Sequence, residues 1–121
     1  MDSVYKILGL TPSNPPPQDT NNLDLGPRIN IPLPALNVLA IIDNTGAAPP
    51  NTAGGATFDN DGRGGGQVLP PTDDHGNNIE YREWDVNPRS AGPRDAERIV
   101  TGSDGSAYYT NDHYKTFEKM R

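Results

Sequence analysis

Residues 80–121 of this 121-residue chain carry Glu83, Arg94, Arg98 and His113. One carboxylate, two guanidiniums and one imidazole form the set that acid–base cleavage of a phosphodiester uses. The carboxylate accepts a proton from the nucleophile, the imidazole gives one to the leaving oxygen, and fixed cations offset charge growing on the phosphate. An acid and a base on opposite sides of a phosphate each contribute roughly 10²–10⁴ in rate. The planar fork of arginine suits phosphate oxygens better than the point charge of lysine. Taken singly, each residue has a plainer reading: Glu83 as a solvated strand glutamate, Arg94 and Arg98 as surface partners of Asp95 or Glu97, His113 as a turn residue. The chemistry therefore depends on elements that bring all four together.

Ile79 to Val86 alternates, with Tyr81 and Glu83 on one face and Arg82, Trp84 and Val86 on the other. One face packs and the other is free to react. The β-branched run Arg98 to Thr101, bounded by Gly102 and Asp104-Gly105, reads as a second strand. Ser106 to Thr110 and Tyr114 to Met120 read as two more, around the tight connection Asn111-Asp112-His113. Consecutive strands with short turns make an antiparallel meander. Upstream, Pro34 opens a helix on which Ala35, Val38, Leu39 and Ile42 recur at helical spacing, and Asp43-Asn44-Thr45-Gly46 stops it. Leu36 and Ile41 broaden that stripe, so the helix is expected to lie flat on the sheet; a buried strand pair across Val38–Ile42 is the alternative. Ala47 to Gly66 reads as loop with one short extended piece at Thr57-Phe58, and Pro70 to Gly76 as a second turn region. The fold class is α+β: an N-terminal helix packed on a small antiparallel sheet.

Length allows one domain, and composition shrinks it further. Thirteen prolines and thirteen glycines accompany only 32% hydrophobic residues, and Thr11 to Pro34 is poor in large apolar side chains. Such a stretch cannot repay the entropy of its own ordering. Residues 1–30 are read as a leader or linker and residues 31–121 as the domain. The chain has no cysteine, which excludes disulfides, thiolate metal sites and a cysteine nucleophile. No apolar run is long enough to span a membrane, and no basic-then-apolar start marks a secretory signal. The net charge of −6 is unusual for a protein that handles nucleic acid. Its distribution softens the objection: residues 1–79 hold three Lys/Arg against eight Asp/Glu, residues 80–121 seven against eight. Long-range steering of RNA is expected to be weak, leaving affinity to local contacts.

The segments Tyr81-Arg82-Glu83-Trp84-Asp85-Val86, Arg94-x-x-x-Arg98-Ile99-Val100 and Tyr109-Thr110-Asn111-Asp112-His113-Tyr114-Lys115-Thr116-Phe117 closely resemble three signature segments of the microbial guanyl-preferring ribonucleases, the barnase-like family. The resemblance covers residues 33–121 and is strongest after Ile79. It implies a helix region on an antiparallel sheet whose open face holds the site. It further implies Glu83 as general base toward the ribose 2′-OH, His113 as general acid toward the leaving 5′-oxygen, and a 2′,3′-cyclic phosphate as first product. Arg94 and Arg98 would hold the phosphate, Tyr114 would contact substrate beside the acid, and Tyr81 would offer a hydroxyl on the same face.

Guanine selectivity in the family resides in a loop resembling Phe-x-Asn-Arg-Glu. Here the stretch runs from Phe58 through Asp59-Asn60-Asp61-Gly62-Arg63-Gly64-Gly65-Gly66-Gln67-Val68 to Leu69-Pro70. Phe58, Asn60 and the Leu69-Pro70 ending match, the arginine–glutamate pair does not, and the loop is longer. Asp61 is the candidate carboxylate for reading the base, with the glycines letting the backbone close on it; a flexible loop with relaxed base preference is the alternative. A calcium-loop reading of Asp59 to Gly62 fails, because the first and twelfth ligand positions would be Thr57 and Val68. His75 beside Asp73 and Asp74 lacks a partner cluster. No metal and no cofactor are expected.

Single-stranded RNA is thus the expected substrate and a monomer the expected form, with no membrane partner. A non-catalytic RNA- or protein-binding module that kept the fold is the rival reading. The composition and the missing signal also fit a toxin domain of a larger exported protein, acting in the cytoplasm of a target cell. An extracellular ribonuclease whose signal has been removed is the other possibility. By resemblance, a toxin of this kind requires a cognate acidic inhibitor or immunity protein covering the site.

Overall fold

The computed structural model describes residues 30–89 and 94–121. Helix α1 (Leu33–Thr45) is followed by five strands: β1 (Gly54–Phe58), β2 (Tyr81–Asp85), β3 (Arg98–Gly102), β4 (Ala107–Thr110) and β5 (Glu118–Lys119). All four neighbouring pairs are antiparallel, and the sheet order is the chain order. This is the α+β layout expected from the periodicities, with a fifth strand grown from the short extended piece at Thr57-Phe58. The reading of residues 1–30 as a leader falls, apart from Asn30, outside the described residues. Among the described residues, no helix is long and apolar enough to cross a membrane.

Helix α1 starts after extended Pro32, with Pro34 in its first turn where the missing N–H has no intrahelical acceptor to lose. It ends at Gly46, whose φ of 73° is the left-handed cap that lets its N–H reach the Ile42 carbonyl at 2.7 Å. Ala35, Val38, Leu39 and Ile42 are the buried positions, as their spacing dictates. They pack with Trp84, Ile99, Tyr109 and Met120 in the larger core, on one face of the sheet. The opposite face carries a smaller core of Leu69, Tyr81, Val100 and Tyr108, flanked by Phe58, Tyr114 and Phe117. The sheet is therefore packed on both faces, and the site must lie where the smaller core stops.

Register fixes that place. On the smaller-core face, Asp85, Arg98 and Thr110 form one row across β2, β3 and β4, and Glu83, Val100 and Tyr108 form the next. Trp84, Ile99 and Tyr109 alternate to the helix side. The Trp84 indole donates to the Thr101 hydroxyl at 2.9 Å, so its one polar atom is satisfied while the ring is buried.

The strand expected over Tyr114–Met120 is only two residues long. Residues 111–117 form a series of bends, because His113 and Tyr114 have φ of 58° and 74°, which no strand accepts. Thr110 and Asp112 side chains capture the local N–H groups that a ladder would otherwise use.

Ile99 is fully buried in the larger core. Ile99→Ala is expected to lower stability by about 3 kcal/mol in urea denaturation without altering the native spectrum.

Candidate active site

The site is built on a buried carboxylate. Asp85 follows Glu83 by two residues on the same strand face, and its side chain is 6% exposed. Arg94 grips it with both ends of its fork, Nε to Oδ2 at 3.1 Å and Nη2 to Oδ1 at 2.6 Å. Arg98, opposite Asp85 in the sheet and 3% exposed, brings Nε to 3.1 Å from the same Oδ1. That approach is off the hydrogen-bond axis, so the contact is ionic and Nε has no hydrogen-bond partner. Arg98 Nη1 donates to the Asp95 and Glu97 carbonyls. Glu97 in turn accepts from the Tyr109 hydroxyl and from the Asn87 amide. Arg98 Nη1 also lies 3.6 Å from the Asp95 carboxylate, so the two guanidiniums are held by Asp85 from within and, for Arg98, by Asp95 as well.

Glu83 accepts a hydrogen bond from the Tyr114 hydroxyl at 2.6 Å. Burial raises the Tyr114 hydroxyl's pKa, Glu83 adds to the rise, and the nearby Arg98 charge opposes it. Tyr114 therefore stays a donor, orienting the carboxylate. Arg94 is close enough to feel the charges of both Glu83 and Tyr114. Glu83, Tyr114, Arg94 and Arg98 are thus brought together as expected, with Arg94, 48% exposed, the more accessible cation.

His113 is exposed, its ring centroid 4.8 Å from that of Tyr114. It lines, with Glu83 and Tyr114, a cleft of about 450 Å³ to which Phe58, Asp61 and Gln67 also contribute. The two arginines are not among the lining residues; they stand on the Asp85 side, next to Glu83. The backbone that presents His113 is held from within. Thr110 Oγ1 accepts from the Tyr114 N–H at 3.1 Å, and Asp112 accepts from the Lys115 and Thr116 N–H groups and from the Thr116 hydroxyl. Bonds to Thr116 first, then Thr110 and Lys115, hold the Asp112 carboxyl at about 2, below the ordinary 3.8 of an aspartate.

The remaining expected residues divide. Phe58 lines the cleft and packs on Tyr114 at a centroid distance of 4.9 Å. Asp61 also lines it, but its carboxylate is already taken by Arg63, through the backbone N–H at 3.0 Å and Nη2 at 2.8 Å. That contact lowers the Asp61 pKa. Asn60 does not offer its side chain to a ligand: Nδ2 donates to the Leu69 carbonyl at 2.9 Å, and Oδ1 accepts from the Leu69 N–H at 2.7 Å. It is the clasp of the loop. Tyr81 also departs from expectation. It is 3% exposed, donates to the Pro70 carbonyl at 2.7 Å and sits in the smaller core, where burial pushes its hydroxyl up to about 12. Facing the right side of the sheet was not enough, because the 69–70 segment covers it.

Sequence reasoning missed Asp85 as the organiser of the arginines. The signal was present: strand alternation puts Asp85 on the face of Glu83. Lys115, which lines the cleft, and Gln67 carried no such signal.

The domain therefore combines a carboxylate and an imidazole lining one cleft with two arginines on a shared aspartate. The family model for ribonucleases matches residues 18–121, and the chain belongs to that family, the barnase-like microbial ribonucleases. A ribonuclease of Heyndrickxia coagulans is 40% identical over 75 residues, which are 61% of this chain; the chain spans 60% of that relative's length.

Two outcomes are expected. Asp85→Asn removes the buried anion that both arginines share and lowers stability by about 3 kcal/mol, read from urea denaturation. Because the folded-state pKa of Asp112 is depressed, its contribution is complete above the ordinary value and vanishes as pH falls toward about 2. The melting-temperature gap between the parent chain and Asp112→Asn should therefore be full at neutral pH and close between 3.8 and about 2.

Proposed function

We propose that this chain is an endoribonuclease that cuts single-stranded RNA by transphosphorylation, with side chains alone supplying acid and base. The observation that supports it most is that Glu83 and His113 line the same cleft, with Arg94 and Arg98 next to the carboxylate. Glu83 takes the proton of the ribose 2′-OH as the 2′-oxygen bonds to phosphorus. The bond from phosphorus to the 5′-oxygen breaks, and that oxygen leaves with a proton from His113. The products are a 2′,3′-cyclic phosphate and a free 5′-hydroxyl. In the slower second step water replaces the departed alcohol, His113 acts as base, and Glu83 returns its proton to the 2′-oxygen.

Arg94 offsets charge on the non-bridging oxygens directly, and Arg98 adds its field from a buried position where screening is weak. The base 5′ of the cut is received by the 58–67 loop, with guanine favoured. Phe58 gives it an apolar wall, and Asp61 accepts from its ring N–H and amino group once Arg63 yields the carboxylate. The cost of displacing Arg63 makes this preference weaker than a free carboxylate would give.

On a defined RNA, in the presence of EDTA, the parent chain should yield cyclic-phosphate ends, with a rate that falls at both low and high pH. Glu83→Ala and His113→Ala should each lower kcat/KM by roughly 10²–10⁴. RNA bound without any cyclic product at any pH would replace this reading with that of a phosphate-binding module.

A further inference from the structure

The 59–69 loop is mostly bonded to itself. Asn60 closes it onto Leu69, the Gly62 carbonyl accepts from the Gly65 and Gly66 N–H groups, and Arg63 folds back on Asp59 and Asp61. Among the described residues, the hydrogen bonds that leave residues 59–68 for another segment are made by Gln67, and both go to the segment that carries His113. The Gln67 N–H donates to the Lys115 carbonyl at 2.9 Å, and Gln67 Oε1 accepts from the Phe117 N–H at 3.0 Å. Gly66 deepens the contact: a Cβ there would lie 2.6 Å from the Tyr114 carbonyl oxygen, so only glycine permits the approach. A self-contained loop is thus fastened, through Gln67, to Lys115 and Phe117, just past His113 and Tyr114.

His113 needs such a fastening. Its backbone and that of Tyr114 sit in the left-handed region, which non-glycine residues occupy at a cost and keep only when neighbours enforce it. Thr110 and Asp112 enforce it from inside the bend; Gln67 braces the residues just after it from the neighbouring loop.

We propose that Gln67 is a positioning residue that couples base binding in the 58–67 loop to the placement of the His113 side chain. The coupling rests on the reading of that loop as the base site. A base seated against Phe58 and the loop backbone stiffens the loop, and the two Gln67 bonds transmit the stiffening to residues 115–117. Base identity then acts on the chemical step and not only on binding. A misplacement of about 1 Å at an acid can cost about 10² in rate, so a partial loss of anchoring is ample to produce discrimination.

The experiment compares the parent chain with Gln67→Met, which keeps side-chain length but loses the accepting oxygen, and with Gln67→Glu, which keeps it. Single-turnover cleavage is followed at guanine and adenine sites of one RNA, alongside the affinity for guanosine 3′-monophosphate and the urea midpoint. Gln67→Met should lower kcat at guanine sites roughly tenfold, leave adenine sites and nucleotide affinity within about twofold, and so flatten the guanine-to-adenine ratio. Gln67→Glu should restore the ratio, its added charge acting on all sites alike. Equal losses at both sites, or a fall in nucleotide affinity that accounts for the loss, would reduce Gln67 to a structural role and overturn the coupling. An unchanged ratio in Gln67→Met overturns it too. A parent chain that cuts all sites alike overturns the base-site reading, and the coupling with it.

Discussion

The site depends on one buried anion. Asp85 stands 6% exposed between two guanidiniums and is the one carboxylate that both arginines share. A single buried charge is expensive, and a buried ion pair offsets that expense only where geometry is good. Here the geometry comes from sheet register, since Asp85 and Arg98 are direct cross-strand partners and Arg94 closes a two-point fork from the adjoining segment. The result is two guanidiniums held at one place on the sheet rather than spread over a surface.

The same cross-strand row ends at Thr110, so one line of three residues organises both sides of the chemistry. At one end it places the arginines beside Glu83; at the other, the Thr110 hydroxyl fixes the start of the bend that presents His113. The helix and the larger core contribute indirectly. By burying Trp84, Ile99 and Tyr109 they leave β2, β3 and β4 no freedom to slip, and a slip of one residue would turn Glu83, Asp85 and Arg98 into the wrong core.

Much of this was legible in the residues. Helical spacing at Ala35, Val38, Leu39 and Ile42 and alternation over Ile79–Val86 each have one dominant period, so local pattern and tertiary packing agree. The meander followed from short turns between β-branched runs. The failures share a cause: they concern side chains whose role is set by a partner distant in sequence. Tyr81 has the face of a substrate contact but is covered by Pro70, and Asn60 has the chemistry of a base contact but is spent on Leu69. Nothing in periodicity reports a lid from another segment. The over-long final strand failed for a different reason, because Thr110 and Asp112 offered the backbone local bonds better than a ladder.

The successive left-handed residues at His113 and Tyr114 set their bend apart from the rest of the site. Each such residue stores roughly 1–3 kcal/mol that the surrounding contacts must hold down, whereas the strands beneath store none. Regions of that kind open locally at free energies well below that of the whole domain. The bend that carries His113 is therefore the part of the site whose shape depends most on its neighbours' contacts and least on its own backbone preference.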